Sequence, residues 1–315
     1  MVFRLLTRTG VFAGSVVAAS VVVFAFMAVL PGDPARVALG VNATPRAVAA
    51  LRRDFGTDRP LVAQYADWAR GLFVGDFGVS YVTRTPIGPQ VLDRLLVTLW
   101  LVGAAMVVAV LVAVPVGTVM AVHHRRLRGL ALSALSQLGI AVPAFLTGVL
   151  AVAIFSVRLG WLPAGGWTPP AEDPGLFLRQ LVLPAGALGL AQAAILARYV
   201  RTAVLDVLRE DYLRTARAKG LTLGRALVRH GLRNAAIPVS TVLGLQLATL
   251  LVGAIVVERV FVIPGLGSLL LDGVANRDLL LVQGVVMVLV VAVLVVNYVV
   301  DVLYAVLDPR LRRAT

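Results

Sequence analysis

The sequence contains no cysteine and only three histidines, two of which are adjacent. Without cysteine the chain can form no disulfide, no thiolate nucleophile and no Cys-ligated metal centre. Three histidines are too few to suggest a metal site, and no group of side chains resembles a catalytic constellation. We therefore predict no catalytic residue and no metal ligand, and we expect that the chain is not an enzyme.

Lysine is almost absent as well, since Lys219 is the only one in the sequence. The phosphate-binding loop G-x-x-x-x-G-K-[ST] needs a lysine that reaches the phosphates. Lys219 stands between Ala218 and Gly220 and does not fit this motif. We expect no cofactor on this chain, so that ATP, if it drives the activity, binds to another subunit.

Charged residues are missing from six long stretches of a chain that is 59% hydrophobic and has a mean hydropathy of +0.92. A helix needs about 20 apolar residues to cross the hydrocarbon core of a bilayer. Five stretches exceed this length easily, and the fourth is marginal. The sequence therefore predicts an all-α membrane protein with six transmembrane helices. The stretches are 9–32, 95–122, 129–157, 180–197, 234–257 and 279–300.

Loop charges predict the orientation of these helices, because basic residues collect on the cytoplasmic side of a membrane. With the N-terminus inside, the inner segments hold 17 Arg and Lys against 5 acidic residues, and the outer segments hold 12 against 11. We expect a protein surrounded by lipid, with both termini in the cytoplasm and not bound to nucleic acid. The apolar core of the first stretch is too long for a cleaved signal peptide. The inner segments are 1–8, 123–128, 198–233 and 301–315, and the outer ones are 33–94, 158–179 and 258–278.

Four segments follow from this topology. They are the N-terminus with the first helix (1–32), an extracytoplasmic segment (33–94), a five-helix core (95–307) with a cytoplasmic loop at about 201–233, and a cytoplasmic tail (308–315). The outer segment reads as a small helical cap. Thr44-Pro45 is a helix start signal, and an apolar stripe at helical spacing follows it. The stripe consists of Leu61, Tyr65, Trp68 and Leu72.

The inner segment 198–233 combines nine basic residues with helical periodicity. Leu205, Leu208, Tyr212 and Ala216 fall on one face of a predicted helix. Gly220 follows where a helix-ending glycine is expected, and a second short helix is predicted at 225–234. From the residues alone, three interpretations stay open: a basic anchor that fixes topology, an amphipathic helix on the membrane surface, and a docking site for a partner.

Several motifs resemble those of one family. Residues 211–221 and 230–238 resemble the cytoplasmic coupling loop of permease subunits of binding-protein-dependent ABC importers, of the dipeptide/oligopeptide (DppB/OppB) type. The general signature of such loops is E-A-A-x-x-x-G followed by I-x-L-P, and only Ala216, Gly220 and Leu232 match it. Further matches occur in the expected order at 30–34, 75–80, 159–163, 258–267, 277–278 and 308–310.

The resemblance implies the transmembrane domain of a type I ABC importer, located in the bacterial inner membrane. Expected partners are a second permease of the DppC/OppC type, two ATPase subunits that bind ATP and Mg²⁺, and an extracytoplasmic substrate-binding protein. It also implies two sites. The coupling segment that contacts the ATPase comprises Tyr212, Arg214, Thr215, Ala216, Arg217, Ala218, Lys219, Gly220 and Leu221. An outer loop near the gate contains Glu258, Phe261, Pro264, Gly265 and Gly267.

Two other classes compete with this interpretation. A secondary transporter not driven by ATP would also have several spans and kinks, but we would expect inverted repeats and intramembrane ion ligands. A membrane enzyme would need a catalytic constellation, and the sequence shows none. Within the importer family we expect a pore-forming permease for peptides, and the exact cargo stays open among dipeptides, longer peptides, glutathione, nickel chelates and antimicrobial peptides.

Overall fold

The computed structural model describes residues 2–30 and 32–307, and these residues are almost entirely helical. The only β-type pairing among them is an isolated bridge between Val79 and Pro86. Short 3₁₀ and π-helical segments lie at Gly40–Asn42, Val152–Arg158 and Leu227–Gly231. The α-helices are α1 (Val2–Val29), α2 (Pro34–Leu39), α3 (Pro45–Phe55), α4 (Leu61–Val74), α5 (Ile87–Val122), α6 (Leu127–Ala141), α7 (Ala144–Ala151), α8 (Pro174–Leu208), α9 (Asp211–Ala218), α10 (Leu223–Ala226), α11 (Leu232–Val260), α12 (Leu266–Ala275) and α13 (Leu279–Leu307).

Five continuous helical segments are long and apolar enough to cross a membrane, and a bent pair makes a sixth candidate. The five contain α1, α5, α8, α11 and α13, and α6 and α7 form the pair. The predicted all-α fold with six spans is therefore confirmed. The marginal fourth stretch lies within α8, which continues through Pro184 for 35 residues.

The third stretch differs from the prediction of one uninterrupted span. Its two halves, Leu127–Ala141 and Ala144–Arg158, meet at an angle of 96°. Proline disfavours the helical conformation of the residue before it. Accordingly, Val142 is extended with ψ of 121°, and Pro143 precedes the first residue of α7. The bend is thus a local effect of Val142-Pro143.

The described chain divides into two compact units. The first comprises residues up to Thr98 together with Pro264–Tyr298, and the second comprises Leu99–Ile263 and residues from Val299 onward. These two units are defined by which residues pack together. The four segments proposed from the sequence are defined by predicted membrane topology, so the boundaries of those segments remain predictions. The tail at 308–315, with the motif at 308–310, lies outside the described residues, as does Pro31 of the motif at 30–34.

In the second unit, α5 and α8 approach each other closely at two glycines. A Cβ atom on Gly117 of α5 would lie 2.6 Å from the carbonyl oxygen of Ala197. A Cβ atom on Gly189 of α8 would lie 2.6 Å from the carbonyl oxygen of Ala105. Small residues at helix contacts allow such close packing within a membrane. Gly117 and Gly189 thus allow α5 and α8 to pack closely against each other.

In the first unit, the cap helix α4 packs beside α1 and α13. Tyr65, Trp68 and Leu72 of the predicted stripe join a cluster that contains Val23 of α1 and Met287 of α13. Leu61, the fourth residue of the stripe, is 58% exposed and lies outside this cluster. The helix start predicted at Thr44-Pro45 is confirmed.

Candidate functional site

The candidate coupling loop begins with a break that the sequence did not indicate. Helix α8 ends at Leu208, Arg209 and Glu210 are not helical, and α9 starts at Asp211. The predicted single helical face through Leu205, Leu208, Tyr212 and Ala216 is therefore wrong. On α9 the buried residues are Leu213 and Ala216, whereas Tyr212 is 38% exposed.

A small apolar cluster fixes α9 against its neighbours. Leu213, Ala216 and Ala226 are buried together, and Leu208, Leu221 and Leu223 pack around them. Leu208 also packs on the large cluster formed by α5, α8 and α11. The loop is thus connected through Leu208 to the helices from which it projects.

The turn at the end of α9 requires a glycine. Gly220 has a φ of +93°, which L-residues rarely adopt. Its N–H donates to the carbonyl of Arg217 at 2.9 Å, and the N–H of Leu221 donates to that of Ala216 at 3.3 Å. This pair of bonds, with an apolar contact from the residue after glycine, is the Schellman motif. Thr222 then caps α10 by accepting from the N–H of Arg225 at 3.4 Å.

The second short helix predicted at 225–234 does not exist as a separate element. Helix α10 has only four residues, and the π-helical segment Leu227–Gly231 joins it to α11. Residues Leu223–Val260 form one continuous apolar helical span. The loop therefore consists of one separate short helix, α9, followed by the first residues of the long helical span that contains α11.

The remaining residues of the predicted coupling segment lie on the outside of α9. Thr215, Arg217, Ala218 and Lys219 are exposed. Arg214 forms an ion pair with Asp211 at 3.2 Å in which both side chains are largely exposed, and such pairs contribute little stability. The hydroxyl of Tyr212 accepts from Nδ2 of Asn234 at 2.9 Å, which links α9 to the start of α11.

Two residues of the predicted outer loop, Glu258 and Phe261, lie in the second unit and are fully buried. The carbonyl of Phe261 accepts from the N–H of Gly166 at 2.9 Å. The N–H of Ile263 donates to the carbonyl of Glu258 at 2.8 Å. The structure thus joins the end of α11 to the loop that follows the π-helical segment Val152–Arg158.

Pro264, Gly265 and Gly267 belong to the first unit. Gly265 and Gly267 are buried, and Pro264 is partly buried. Between them, Leu266 packs on Ile87, and its N–H donates to Oγ1 of Thr98 at 2.9 Å. Because of these contacts, the start of α12 is held against the first turns of α5.

Sequence reasoning missed a contact between two of the matched motifs, at 75–80 and 277–278. The hydroxyl of Ser80 donates to Oδ2 of Asp278, and both residues are buried. Oδ1 of Asp278 accepts from the N–H groups of Tyr81 and Leu281, each at 3.3 Å. Burial, with a smaller contribution from the Asp278 carboxylate, raises the pKa of the Tyr81 phenol above its ordinary value.

Comparison with known proteins gives the family. Residues 113–313 match the model of the inner membrane component of binding-protein-dependent transport systems. Residues 1–102 match the N-terminal model of the same membrane component. The chain belongs to this family. It is a pore-forming permease subunit of an ATP-driven importer, and so it is not an enzyme.

Alignments with two relatives of more than 40% identity cover nearly the whole permease. The glutathione transport system permease protein GsiC of Salmonella choleraesuis (strain SC-B67) is 43% identical over 293 residues, covering 93% of each chain. The GsiC protein of Escherichia coli (strain K12) is 42% identical over the same length and coverage. The predicted resemblance to DppB/OppB-type permeases is therefore confirmed.

Solved structures with the same fold are more distant in sequence. The MetNI methionine ABC transporter in inward-facing conformations has a chain that matches with a TM-score of 0.56 at 18% identity, covering 69% of the permease and 96% of that chain. An amino acid ABC transporter solved with histidines matches with a TM-score of 0.50 at 17% identity, covering 70% and 94%. These matches confirm the fold of an importer transmembrane domain.

Membership of this family also determines the general assembly. The permease is a multi-span protein of the bacterial inner membrane, and it works with an ATPase, a binding protein and a second permease. The alternative of a secondary transporter not driven by ATP is set aside by the same finding.

Proposed function

We propose that this permease imports small peptides, with glutathione-sized molecules among them, and that helix α9 couples its movement to two ATPase subunits. The observation that carries the coupling role is the construction of the loop. One side of α9 is buried on Leu208, Leu221 and Ala226, and the other side is exposed and basic. A segment with this construction can receive a partner and pass its movement on.

The connection from α9 to the spans supports this role. Leu208, at the end of α8, packs both on the α9 cluster and on the main cluster of the second unit. The Tyr212–Asn234 bond adds a polar link to the start of α11. Packed side chains transmit displacement because a closely packed interior is not readily compressed. A displacement of α9 therefore moves the ends of α8 and α11 with it.

The exposed side of α9 offers the contacts for docking. Arg214, Arg217 and Lys219 point away from the buried cluster and give this surface a positive charge. Tyr212, Thr215 and Ala218 complete the exposed surface, and Gly220 and Leu221 determine where it ends. ATP and Mg²⁺ would bind to the ATPase subunits, since Lys219, the only lysine, lies outside a phosphate-binding motif.

The proposed partners and orientation follow the charge distribution and the relatives. Both termini and the α9 loop lie in the cytoplasm in this proposal, because the basic excess is concentrated in those segments and in 123–128. The second permease is of the DppC/OppC type, and the extracytoplasmic binding protein delivers the cargo. Peptide cargo is supported by the 43% identity to a relative named for glutathione transport.

The second proposed site is the outer loop near the gate, with Glu258, Phe261, Pro264, Gly265 and Gly267. Its support is the dense packing of its backbone within each unit. The carbonyl of Phe261 accepts a hydrogen bond from the N–H of Gly166. The N–H of Leu266, which lies between Gly265 and Gly267, donates a hydrogen bond to Thr98. Such a loop would follow the movement of the helices that hold it.

The absence of cysteine allows a direct test of docking. An Arg217→Cys variant, assembled with its partners in liposomes and treated with a cysteine-to-amine cross-linker, should cross-link to an ATPase subunit. A Val41→Cys variant, whose position is fully exposed in the segment 33–94, serves as the control and should not. Cross-linking of the control alone would contradict the proposed orientation and the docking role together.

Cargo is tested in the same liposomes. Labelled glutathione, a labelled dipeptide and a labelled free amino acid are each offered with the cognate binding protein. ATP-dependent uptake of the dipeptide or glutathione, without uptake of the amino acid, would support the proposal. Uptake of the amino acid alone would contradict it.

A further inference from the structure

Two adjoining cavities lie in the first unit, among the outer end of α1, the cap helices and the start of α13. Their volumes are about 250 Å³ and about 200 Å³. The residues that line both are Phe24, Gln64, Tyr81, Leu280 and Gln283. Residues of α1 and α13 occur in both walls, so the cavities lie where two membrane spans end on the same side.

Two residues that line the larger cavity, Trp68 and Gln283, each have a buried hydrogen-bond donor without a partner among the described residues. Nε1 of Trp68 and Nε2 of Gln283 bond to no residue in the described part of the chain. The two side chains are only 9% and 6% exposed. A buried donor that lacks an acceptor is costly. Because both donors belong to residues that line one cavity, they point to an occupant that supplies acceptor oxygens.

Charge in the same wall limits the chemistry of this occupant. Arg59 is bonded to Asp67 at 2.6 Å, so these two charges compensate each other. Asp76 adds a further negative charge and accepts from the N–H of Gly78 at 2.8 Å. Arg70, outside the wall, also lies 3.9 Å from Asp67. The remaining negative charge in the wall is therefore Asp76, which favours a group that carries a cation over one that is only anionic.

The smaller cavity is mainly apolar. The residues that give it this character are Met27, Ala28, Leu30, Leu61 and Leu279. Both volumes are below the 300–1,000 Å³ typical of pockets that enclose a whole small molecule. A ligand seated here would therefore be enclosed in part, and the rest of it would lie against exposed apolar residues such as Val29 and Leu61.

We propose that this pair of cavities binds a membrane phospholipid with a zwitterionic, amine-bearing headgroup. The ester or phosphate oxygens accept from Trp68 and Gln283, and the ammonium group lies near Asp76. The upper part of an acyl chain contacts the apolar wall. Indole N–H groups at the membrane interface are suited to this arrangement, because the ring is apolar and its N–H is polar.

The test uses the complete importer, purified in detergent and depleted of lipid. Phosphatidylethanolamine or phosphatidylglycerol is added back, and retained lipid on the permease is measured by native mass spectrometry. We expect the wild type to retain one phosphatidylethanolamine in preference to phosphatidylglycerol. Each lost hydrogen bond should lower retention by about tenfold, in Gln283→Leu and in Trp68→Phe, which keeps most of the ring.

Gln192→Leu is the matched control, because Gln192 is also buried (7% exposed) and its Oε1 also lacks a partner among the described residues. It lies in the second unit and should retain lipid as the wild type does. Should Gln283→Leu fail to assemble, the single Trp68→Phe variant still decides. Equal retention of both lipids, or unchanged retention in Trp68→Phe, would overturn the proposal and leave ordered water as the occupant.

Discussion

Replacing Gly220 with valine is the sharpest test of the α9 loop. No heavy atom outside its immediate neighbours lies within 4 Å of the position that a Cβ atom would take, so an added Cβ atom meets no steric clash there. The φ of +93° is the only obstacle. A non-glycine residue held in such a conformation costs about 1–3 kcal/mol. This cost lowers the population of the native turn by about 5- to 150-fold relative to a relaxed alternative.

The loss should appear in coupling and not in assembly. The turn is exposed and lies outside the spans, so Gly220→Val should reach the membrane in near-normal amounts. A relaxed turn breaks the bonds from Gly220 and Leu221 and displaces α9 from its cluster. We therefore expect substrate-stimulated ATP hydrolysis and uptake to fall by at least fivefold in liposomes that contain the full complex.

A graded series separates strain from side-chain volume. Asparagine tolerates positive φ better than valine does, so Gly220→Asn should keep more uptake than Gly220→Val. Gly224→Val is the matched control, because Gly224 also has open space around its Cβ position but has no positive φ. It should leave uptake near the wild-type level. Normal uptake by Gly220→Val, or equal loss in Gly224→Val, would refute the strain argument.

Four further predictions concern other parts of the permease. An Asp58→Cys variant should react with an impermeant thiol reagent from outside, and Thr222→Cys only after the membrane is opened; the reverse pattern would contradict the topology. The purified single subunit should not hydrolyse ATP, and measurable turnover would refute this. Asp278→Asn should lower the melting temperature, because a buried network that includes Ser80 loses its charge-assisted bonds, at a cost of about 1–3 kcal/mol. Folding raises the pKa of the Tyr81 phenol, so its contribution to stability is fully present below the ordinary value of about 10 and should fall as the pH rises above 10. The loss of stability at alkaline pH should therefore be smaller in Tyr81→Phe than in the wild type. An unchanged pH profile in this variant would contradict the prediction.

The sequence was sufficient for the membrane architecture because its signal is local. A stretch without charges must find an apolar environment wherever it lies, and the stretches at 95–122 and 279–300 fall within α5 and α13. The bend at Val142-Pro143 could not be predicted from the sequence in the same way. A proline in an apolar stretch either continues a helix, as Pro184 does, or ends it. Neighbouring helices decide between these outcomes, and they are not visible in the stretch itself.

The candidate site was predictable only where its signals were short-range. Gly220 was identified as a turn because glycine ends helices, and its φ of +93° agrees. The break at Arg209-Glu210 contains neither glycine nor proline, so a helical pattern ran across it undetected. The Ser80–Asp278 contact joins residues 198 positions apart. Nothing in either motif alone indicates that the other is its partner.

The π-helical segment Leu227–Gly231 has a consequence for how this loop tolerates changes in length. A π turn closes each hydrogen bond over one residue more than an α turn does. One residue can therefore be removed from this segment while the helix stays unbroken, with the surplus turn absorbing the deletion. Each residue of an α-helix corresponds to a rotation of about 100°. Because the surplus residue of the π turn is absorbed, such a deletion would leave both α10 and the span that contains α11 in register, so the loop can lose one residue here without turning α9 away from its partner.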